Sequence, residues 1–484
     1  MNAMMSVEDF RSEAHKLVDW IAEYYKNVAD YPVKSQVNPG DIAARLPDAP
    51  PDDKEPFSSV FEDIEKIILP GMTHWQSPKF FAYFPANASF PSLLGEILTA
   101  AFGAQCMKWE TSPAATELEE VVMDWLRQMT GLPENFHGVI QDSGSTSTLC
   151  AILTAREKAS RFVVNKAGFY GQPIYRIYCS AEAHSSVDKA VRIAGLGHDN
   201  LVKIPVDDAY SIDTRILKKR IEDDKQMGYR PLCIVVALGT TGSTAVDPLD
   251  EIACISKEYD TWLHIDAAYA GSALLLHEYR WMIKGIEAAD SFVFNPHKWL
   301  FTNFDCSAYF VRDKDALIKT FQLVPEYLKS QVHGHANDYS DWGIQLGRRF
   351  RALKLWFVIR MFGVKGLQEK LRYHISLAVE FEKWLLQAGD YEIMAPRLFN
   401  LLCFRYNPSG DLSEDELDLL NENLLKEMNN TGKVYITHTR LKGKYCLRLV
   451  IAQTNTTMEH VEQAWQLLID KSVQIINSGK INPR

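Results

Sequence analysis

Two side chains of this sequence could together carry out amine chemistry, the carboxylate of Asp266 and the amine of Lys298. Asp266 follows the β-rich run 262–265, and Lys298 lies four residues after the β-rich run 291–294. Open α/β sheets bind ligands at the carboxyl ends of their strands, so we expect both groups in one crevice. A partly desolvated lysine can lose its proton and form a Schiff base with an aldehyde. Taken singly, such an acid is more often a helix cap, and such a lysine more often a surface residue.

Two further features favour a ligand site at the same place. The segment 141–146, Gln-Asp-Ser-Gly-Ser-Thr, precedes a helix expected from about residue 148 to residue 160, and its N–H groups and hydroxyls can hold a phosphate. His184 follows the strand expected at 174–180 and can place its imidazole in the crevice. Each feature alone is weak, because Ser/Gly clusters open many helices that bind nothing.

The four features together predict a site for pyridoxal 5′-phosphate. Lys298 would bond the aldehyde of this cofactor, Asp266 would pair with its ring nitrogen, and the loop of Ser143, Gly144 and Ser145 would hold its phosphate. A carboxylate beside the ring nitrogen stabilises the protonated form. The ring can then accept electrons when a bond at the substrate Cα breaks.

The elements that must position these groups follow an alternating pattern. Short β-rich runs separated by helical stretches occur at 138–141, 174–180, 231–238, 262–265 and 291–294. This alternation is typical of an α/β protein with a mostly parallel sheet and helices on both faces. Asp247 and Pro248 resemble a helix start, with the aspartate as the cap.

The order of elements changes after Trp356, where a long helix, three strands and two further helices predict a smaller α+β domain. We therefore expect an N-terminal helical dimerisation segment at 1–89, a large cofactor-binding domain at 90–355 and a small C-terminal domain at 356–484.

Composition excludes several classes of protein. The chain has 484 residues with 52 basic and 62 acidic side chains, and its charge of −10 is too acidic for a nucleic-acid binder. Its eight cysteines include no Cys-x-x-Cys pair, which favours a reducing compartment. We expect neither a secretory signal nor a membrane span, and therefore a cytoplasmic protein. The cluster of Arg348, Arg349 and Arg351 is short, and we expect structural ion pairs there.

Several stretches carry a resemblance to a known family, namely 74–78, 80–85, 112–119, 183–186, 264–269, 295–299 and 346–350. From the first helix to about residue 470, the chain resembles aromatic-L-amino-acid decarboxylases of the group II pyridoxal-phosphate-dependent decarboxylases. The resemblance implies fold type I, the aspartate-aminotransferase-like fold, with a mostly parallel seven-stranded sheet. It also implies decarboxylation of aromatic L-amino acids to aryl amines and carbon dioxide.

The same resemblance implies roles for individual residues around the cofactor. His184 would stack on the ring, Thr241 would lie close to it, and Ala268 would pack on the opposite face. The phosphate would be contacted or surrounded by Gly144, Ser145, Asn295 and His297.

A mobile loop carries the proton donor of the family, and the matching segment here is 324–329, with a phenol at Tyr327. Relatives with Phe at this position resemble aldehyde synthases, because a carbanion that is not promptly protonated can react with oxygen. Tyr327 therefore favours a simple decarboxylase. His333 and His335 follow in the same loop, but two histidines without a positioned carboxylate do not predict a metal site.

The resemblance also implies a substrate pocket and a partner. Trp75, Tyr83, Phe84 and Pro85 match the aromatic wall of the family, and Gly347 leaves room for an indole or catechol ring. Ala86 and Met107 depart from the animal pattern, which has Thr and an aromatic residue there. The family site lies at a dimer interface, so we expect a homodimer, and neither nucleic acid nor membrane as partner.

Alternatives remain open at this point. One is an aromatic aldehyde synthase, which combines decarboxylation with oxidative deamination. Another is a non-catalytic interaction protein, which predicts loss of Lys298 or Asp266, although both are present. An aminotransferase would usually need an arginine for the substrate carboxylate and would form a keto acid without carbon dioxide.

Overall fold

The computed structural model of the protein describes residues 5–323, 336–408 and 412–477. The predicted proton donor Tyr327, and with it His333 and His335, lies outside these described residues. The helices are α1 (Val7–Asn27), α2 (Phe57–Asp63), α3 (Leu69–Gly71), α4 (Phe90–Phe102), α5 (Pro113–Thr130), α6 (Gly144–Ala159), α7 (Val163–Ala167), α8 (Ser186–Ile193), α9 (Thr214–Gln226), α10 (Leu249–Tyr259), α11 (Pro296–Trp299), α12 (Lys314–Phe321), α13 (Arg351–Ala388), α14 (Glu414–Asn430) and α15 (Met458–Asn477). The strands are β1 (His137–Gln141), β2 (Tyr175–Ser180), β3 (Leu201–Ile204), β4 (Arg230–Ala237), β5 (Trp262–Asp266), β6 (Ser291–Phe294), β7 (Ser307–Val311), β8 (Tyr391–Ile393), β9 (Leu401–Tyr406), β10 (Thr437–Leu441) and β11 (Lys444–Val450).

The chain forms two compact units. The smaller unit contains Met1–Pro85, Glu380–Glu392 and Phe404–Arg484, and the larger unit contains Ala86–Val379 and Ile393–Cys403. The predicted division at residues 89 and 355 is a different partition of the chain, and it stays a prediction.

The larger unit is built around a seven-stranded sheet with the order β1-β7-β6-β5-β4-β2-β3. Parallel pairing joins β3 to β2, β2 to β4, β4 to β5 and β5 to β6. Strand β7 runs antiparallel to both β6 and β1. The carboxyl ends of all the other strands therefore share one edge, and the predicted α/β fold with a mostly parallel sheet is confirmed.

Helices cover this sheet because its central strands are buried at nearly every position. In β4 residues 231–237 are buried, and the strand is contacted by α6 and also by α9 and α10. Helix α6 is buried on most of its surface and touches α8, α12 and several strands. These contacts fix the position of α6 and of its first turn. That turn follows the end of β1 at the carboxyl edge of the sheet.

Three local expectations need correction. Strands β3 and β7 were not predicted from the β-rich runs. Helix α6 begins at Gly144 rather than near residue 148. Helix α10 begins at Leu249 with Pro248 as its N-cap, so the prediction that Asp247 caps it was wrong. The Asp247 carboxylate instead accepts backbone hydrogen bonds from Ala237 at 2.8 Å and from Ile212 at 2.9 Å.

Two helices of the smaller unit have side-chain caps at their N-termini. The hydroxyl of Ser6 accepts a hydrogen bond from the backbone N–H of Asp9 and caps α1. Ser413 and Glu416 form a capping box at the start of α14. Strands β10 and β11 form an antiparallel hairpin.

None of the helices in the described ranges combines the length and the apolar character of a bilayer-spanning segment. Across those same ranges, no cluster of three or more His, Cys, Asp or Glu side chains is arranged to hold a metal ion.

Candidate active site

The carboxyl edge of the large sheet receives the residues predicted to hold the cofactor, each set following its own strand. They are Ser143, Gly144 and Ser145 after β1, His184 after β2, Thr241 after β4, Asp266 and Ala268 at the end of β5, and Asn295, His297 and Lys298 after β6. The topology explains the grouping, because parallel strands end at the same edge.

Three of these side chains interact electrostatically. Desolvation lowers the pKa of His184 below its ordinary value, the carboxylate of Asp266 opposes that shift, and the positive charge of Lys298 adds to it. The imidazole therefore senses both charges, and it is neutral at neutral pH. Asp266 at the end of β5 and Lys298 after β6 thus both act on the imidazole of His184.

Ser186 fixes the tautomer of that ring. Its backbone N–H donates to Nδ1 of His184 at 3.1 Å, and its hydroxyl lies 2.8 Å from the same nitrogen. Because a backbone N–H can only donate, Nδ1 carries no proton. The hydrogen-bond network therefore assigns the proton of the neutral ring to Nε2.

Asp266 is held by the sheet on both sides. It pairs with Ala237 of β4 and with Val293 of β6, and its Oδ1 accepts a hydrogen bond from the backbone N–H of Ala268 at 3.0 Å. Its own backbone carbonyl accepts from Leu238 at 2.9 Å. The carboxylate therefore has a fixed position at the strand end.

The first turn of α6 provides donors for an anion. Ser143 is the N-cap, and its hydroxyl oxygen accepts from the backbone N–H of Thr146 at 3.2 Å. Gly144 and Ser145 follow, at positions where backbone N–H groups have no acceptor within the helix. The partial positive charge of this helix end favours a phosphate.

Asn295 closes this turn from the other side. A β-carbon on Gly144 would lie only 3.1 Å from Nδ2 of Asn295. The amide oxygen of Asn295 accepts from the hydroxyl of Ser307 at 2.7 Å, which orients the NH₂ group toward the turn. Glycine at 144 therefore keeps open a small space lined by N–H donors.

The segment that carries Lys298 is anchored by its neighbours. The backbone N–H of Lys298 donates to the carbonyl of Asn295 at 2.9 Å, and that of Asn295 donates to Ala268 at 2.9 Å. Nδ1 of His297 accepts from the backbone N–H of Cys306 at 2.8 Å. Burial lowers the pKa of His297 to about 3, so this ring is a neutral packing group.

Thr241 lies in the turn after β4, and its side chain is exposed. The turn is closed by backbone hydrogen bonds from Gly239 and Thr240 to the carbonyl of Ala245, both at 2.9 Å. It is thus a rigid loop at the carboxyl edge.

Comparison with known proteins decides the family of the chain. Residues 39–407 match the model of the pyridoxal-dependent decarboxylase conserved domain. The chain belongs to this family. Tryptophan decarboxylase 2 of Oryza sativa subsp. japonica is 43% identical over 484 residues, which cover 98% of this chain and 96% of that protein. Phenylacetaldehyde synthase of Arabidopsis thaliana is also 43% identical over 484 residues, covering 98% of each.

A solved structure of Oryza sativa TDC with PLP and tryptamine superposes with a TM-score of 0.94 at 36% identity, covering 97% of this chain and 99% of that one. The predicted cofactor and fold type are therefore confirmed for this pyridoxal-dependent decarboxylase. Its own residues fit the cofactor, because Gly144 leaves open a space lined by N–H donors while Asp266 and Lys298 provide an acid and an amine.

Four of the predicted substrate residues of this decarboxylase belong to the smaller unit. The rings of Trp75 and Tyr83 stack with centroids 5.9 Å apart and planes 20° apart. The guanidinium of Arg448 lies 4.7 Å from the ring centroid of Phe84, and Pro85 follows directly. Trp75 and Tyr83 thus form a stacked pair, and the ring of Phe84 faces a guanidinium.

The other three belong to the larger unit. The carbonyl of Met107 accepts from the backbone N–H of Ser340 at 2.8 Å. A β-carbon on Gly347 would lie 3.2 Å from Nε2 of Gln105, so this glycine is closely approached by an amide. Ala86 is the first residue of the larger unit. Their role toward a substrate stays a prediction.

The arginine cluster is structural, as expected. Arg348 pairs with Glu119 at 2.6 Å with both side chains buried, and Arg351 pairs with Asp305 at 2.9 Å. Arg349 pairs with Glu96. Each guanidinium is thus held by a carboxylate of the larger unit.

Sequence reasoning missed Ser186 and Ser307. Ser186 stands two residues after His184, a spacing at which a serine can bond the ring nitrogen, so a local signal existed. Ser307 gave no signal because it lies on β7, a strand that the pattern of apolar runs did not predict.

Proposed function

We propose that the protein removes the α-carboxylate of aromatic L-amino acids, forming the aryl amine and carbon dioxide with pyridoxal 5′-phosphate as cofactor. The observation that carries the proposal is that Asp266 at the end of β5, Lys298 after β6 and the donor-lined turn at Gly144 after β1 all lie at the carboxyl edge of one sheet. Relatives named for tryptophan decarboxylation and for phenylacetaldehyde synthesis support an aromatic substrate.

Each residue of the edge has a distinct task in this proposal. The bound cofactor supplies an aldehyde that links to an amine and a ring that accepts the electron pair of the breaking Cα–carboxylate bond. Lys298 holds the aldehyde carbon through Nζ, and Asp266 keeps a negative charge beside the ring nitrogen. Ser143, Gly144, Ser145, Asn295 and His297 contact or surround the phosphate.

His184, Thr241 and Ala268 enclose the ring in the same proposal. Because His184 is neutral with its proton on Nε2, its flat face can stack on the ring without adding a second positive charge next to Lys298. Such stacking fixes the ring plane, and decarboxylation needs the scissile bond perpendicular to that plane. The family resemblance is the support for assigning contact with the substrate ring to Trp75, Tyr83, Phe84, Pro85, Ala86, Met107 and Gly347.

Replacement of the carboxylate by hydrogen requires a proton at the substrate Cα, and a residue of the chain has to supply it. We assign the donor to the phenol of Tyr327. The support for this role is the match of residues 324–329 to the loop that carries the donor in the family.

The second candidate function, an aldehyde synthase, is favoured by the relative named phenylacetaldehyde synthase. That reaction would consume one oxygen and one water and would release aldehyde, carbon dioxide, ammonia and hydrogen peroxide.

Product stoichiometry separates the two functions. The purified holoenzyme is assayed with tyrosine, tryptophan, phenylalanine, DOPA and 5-hydroxytryptophan, and amine, carbon dioxide, ammonia and peroxide are quantified. The proposal expects one amine for each carbon dioxide and no peroxide. Equal yields of ammonia, peroxide and carbon dioxide would instead identify an aldehyde synthase. Tyr327→Phe should divert product from amine to aldehyde, and unchanged amine formation would refute the assigned donor.

A homodimer is part of the proposal. Helix α1 has no buried residue, and Val7, Phe10 and Val18 on it are 68%, 64% and 55% exposed. On α4, Phe90 and Phe102 are 55% and 63% exposed. Apolar surface of this kind favours burial against another chain. Light scattering that gives the mass of one chain would contradict the dimer.

A cytoplasmic location is also part of the proposal. Its support is the set of eight cysteines without a Cys-x-x-Cys pair, which favours a reducing compartment.

A further inference from the structure

Tyr83 is held in a backbone conformation that costs free energy. Its φ is 50°, in the left-handed region that bulky residues rarely adopt. Its carbonyl accepts a hydrogen bond from Nη1 of the buried Arg448 at 2.8 Å. Its ring stacks on Trp75 and remains 48% exposed. A strained residue that presents an accessible ring points to a role in binding.

The hydroxyl of Tyr83 has a defined partner in Tyr435. The two phenol oxygens are 3.1 Å apart, and the rings meet edge to face with centroids 5.8 Å apart and planes at 82°. Tyr435 itself is fixed by the segment before Tyr83. Its carbonyl accepts from the backbone N–H of Phe81 at 2.8 Å, and its ring packs edge-on against Phe80 at 5.5 Å.

The phenol of Tyr435 keeps its proton at neutral pH. Burial raises the pKa of Tyr435, and the hydrogen bond to Tyr83 raises it further. The two phenol oxygens share one hydrogen bond, in which either oxygen can be the donor. The ring of Tyr83 can rotate about two side-chain bonds. The hydrogen bond anchors the hydroxyl at the far end of the ring, and it therefore fixes the tilt of the ring.

We propose that Tyr435 is a positioning residue for the substrate ring, which acts by holding the ring of Tyr83 in place. The inference rests on the proposed function, in which Tyr83 belongs to the wall that contacts the substrate. It adds a residue from the C-terminal part of the chain, just before β10, to the determinants of substrate affinity.

Tyr435→Phe tests this role because it removes only the hydroxyl. In the holoenzyme we expect KM for the preferred aromatic amino acid to rise about three- to tenfold, the equivalent of one neutral hydrogen bond, with kcat within about twofold of wild type. Tyr445→Phe is the matched control, since it removes a buried phenol hydroxyl on β11 whose ring stacks on His438 at 4.7 Å. The control should leave KM unchanged.

A double-mutant cycle makes the test specific to the pair. Tyr83→Phe, Tyr435→Phe and the double variant should raise KM by similar factors, because each removes the same hydrogen bond. The proposal would be overturned if the rise in KM of the double variant equalled the product of the rises in the two single variants. An unchanged KM in Tyr435→Phe would also overturn it. If both Tyr435→Phe and Tyr445→Phe lower Tm and reduce kcat together, the role of Tyr435 is only structural. A wild-type enzyme that forms no amine would instead reject the proposed function itself.

Discussion

The backbone N–H and the hydroxyl of Ser186 both lie against Nδ1 of His184, at 3.1 and 2.8 Å. The ring therefore carries its proton on Nε2, and it does so beside Lys298, whose positive charge disfavours a second cation. A neutral His184 is thus built into the turn after β2 before any ligand binds.

This arrangement predicts a pH dependence. The pKa of His184 is lowered from 6.5, so the ring stays neutral at pH 7 and above and becomes protonated only as pH falls below about 6.5. If activity needs the neutral ring, kcat/KM should therefore fall as the pH drops below about 6.5, and His184 should cause no fall above pH 7. Profiles of the wild type and of His184→Gln, which lacks this group, check the assignment. A His184-dependent limb above pH 7 would contradict it.

Gly144 should control cofactor affinity. A methyl group there would lie 3.1 Å from Nδ2 of Asn295 and would crowd the space assigned to the phosphate. We expect Gly144→Ala to raise the dissociation constant of pyridoxal 5′-phosphate about tenfold or more. Titration of the apoenzyme followed by cofactor absorbance measures it. In the control Gly366→Ala the added carbon is 3.8 Å from its nearest neighbour, and affinity should not change.

The buried pair of Arg348 and Glu119 should dominate the stability of its region. Arg348→Met leaves the carboxylate of Glu119 buried without its charge partner, so we expect the free energy of unfolding to fall by about 3–5 kcal/mol. Arg372→Met breaks an exposed pair with Glu278 and should cost about 0–1 kcal/mol. Urea unfolding followed by circular dichroism compares the two. Equal losses would show that burial does not set the cost.

Much of the fold could be predicted because the central strands that carry the site are rich in apolar and β-branched residues. Strands β5 and β6 are buried at nearly every position, and the sequence shows each as a short, mostly apolar run with a polar residue at its carboxyl end. Strand β3 was missed because it has four residues, only two of them buried, at the edge of the sheet.

The features that escaped prediction depend on tertiary contacts. Asp247 precedes a proline as a helix cap would, yet two backbone N–H groups from other segments take up its carboxylate. Helix α6 starts at a glycine, a poor helix former, because the buried helix and the cap of Ser143 fix its first turn. The site residues could be placed by strand ends and motifs, whereas their supporting partner Ser307 came from a strand that was itself unpredicted.

The central claim is that Lys298 forms the covalent link to the cofactor. The most direct measurement is borohydride reduction of the holoenzyme, followed by proteolysis and peptide mass spectrometry, with Lys298→Ala as the control. We predict a pyridoxyl group on the Lys298 peptide of the wild type, none in the variant, and loss of amine formation in the variant. A pyridoxyl group on another lysine, or a variant that still forms amine at the wild-type rate, would contradict the account.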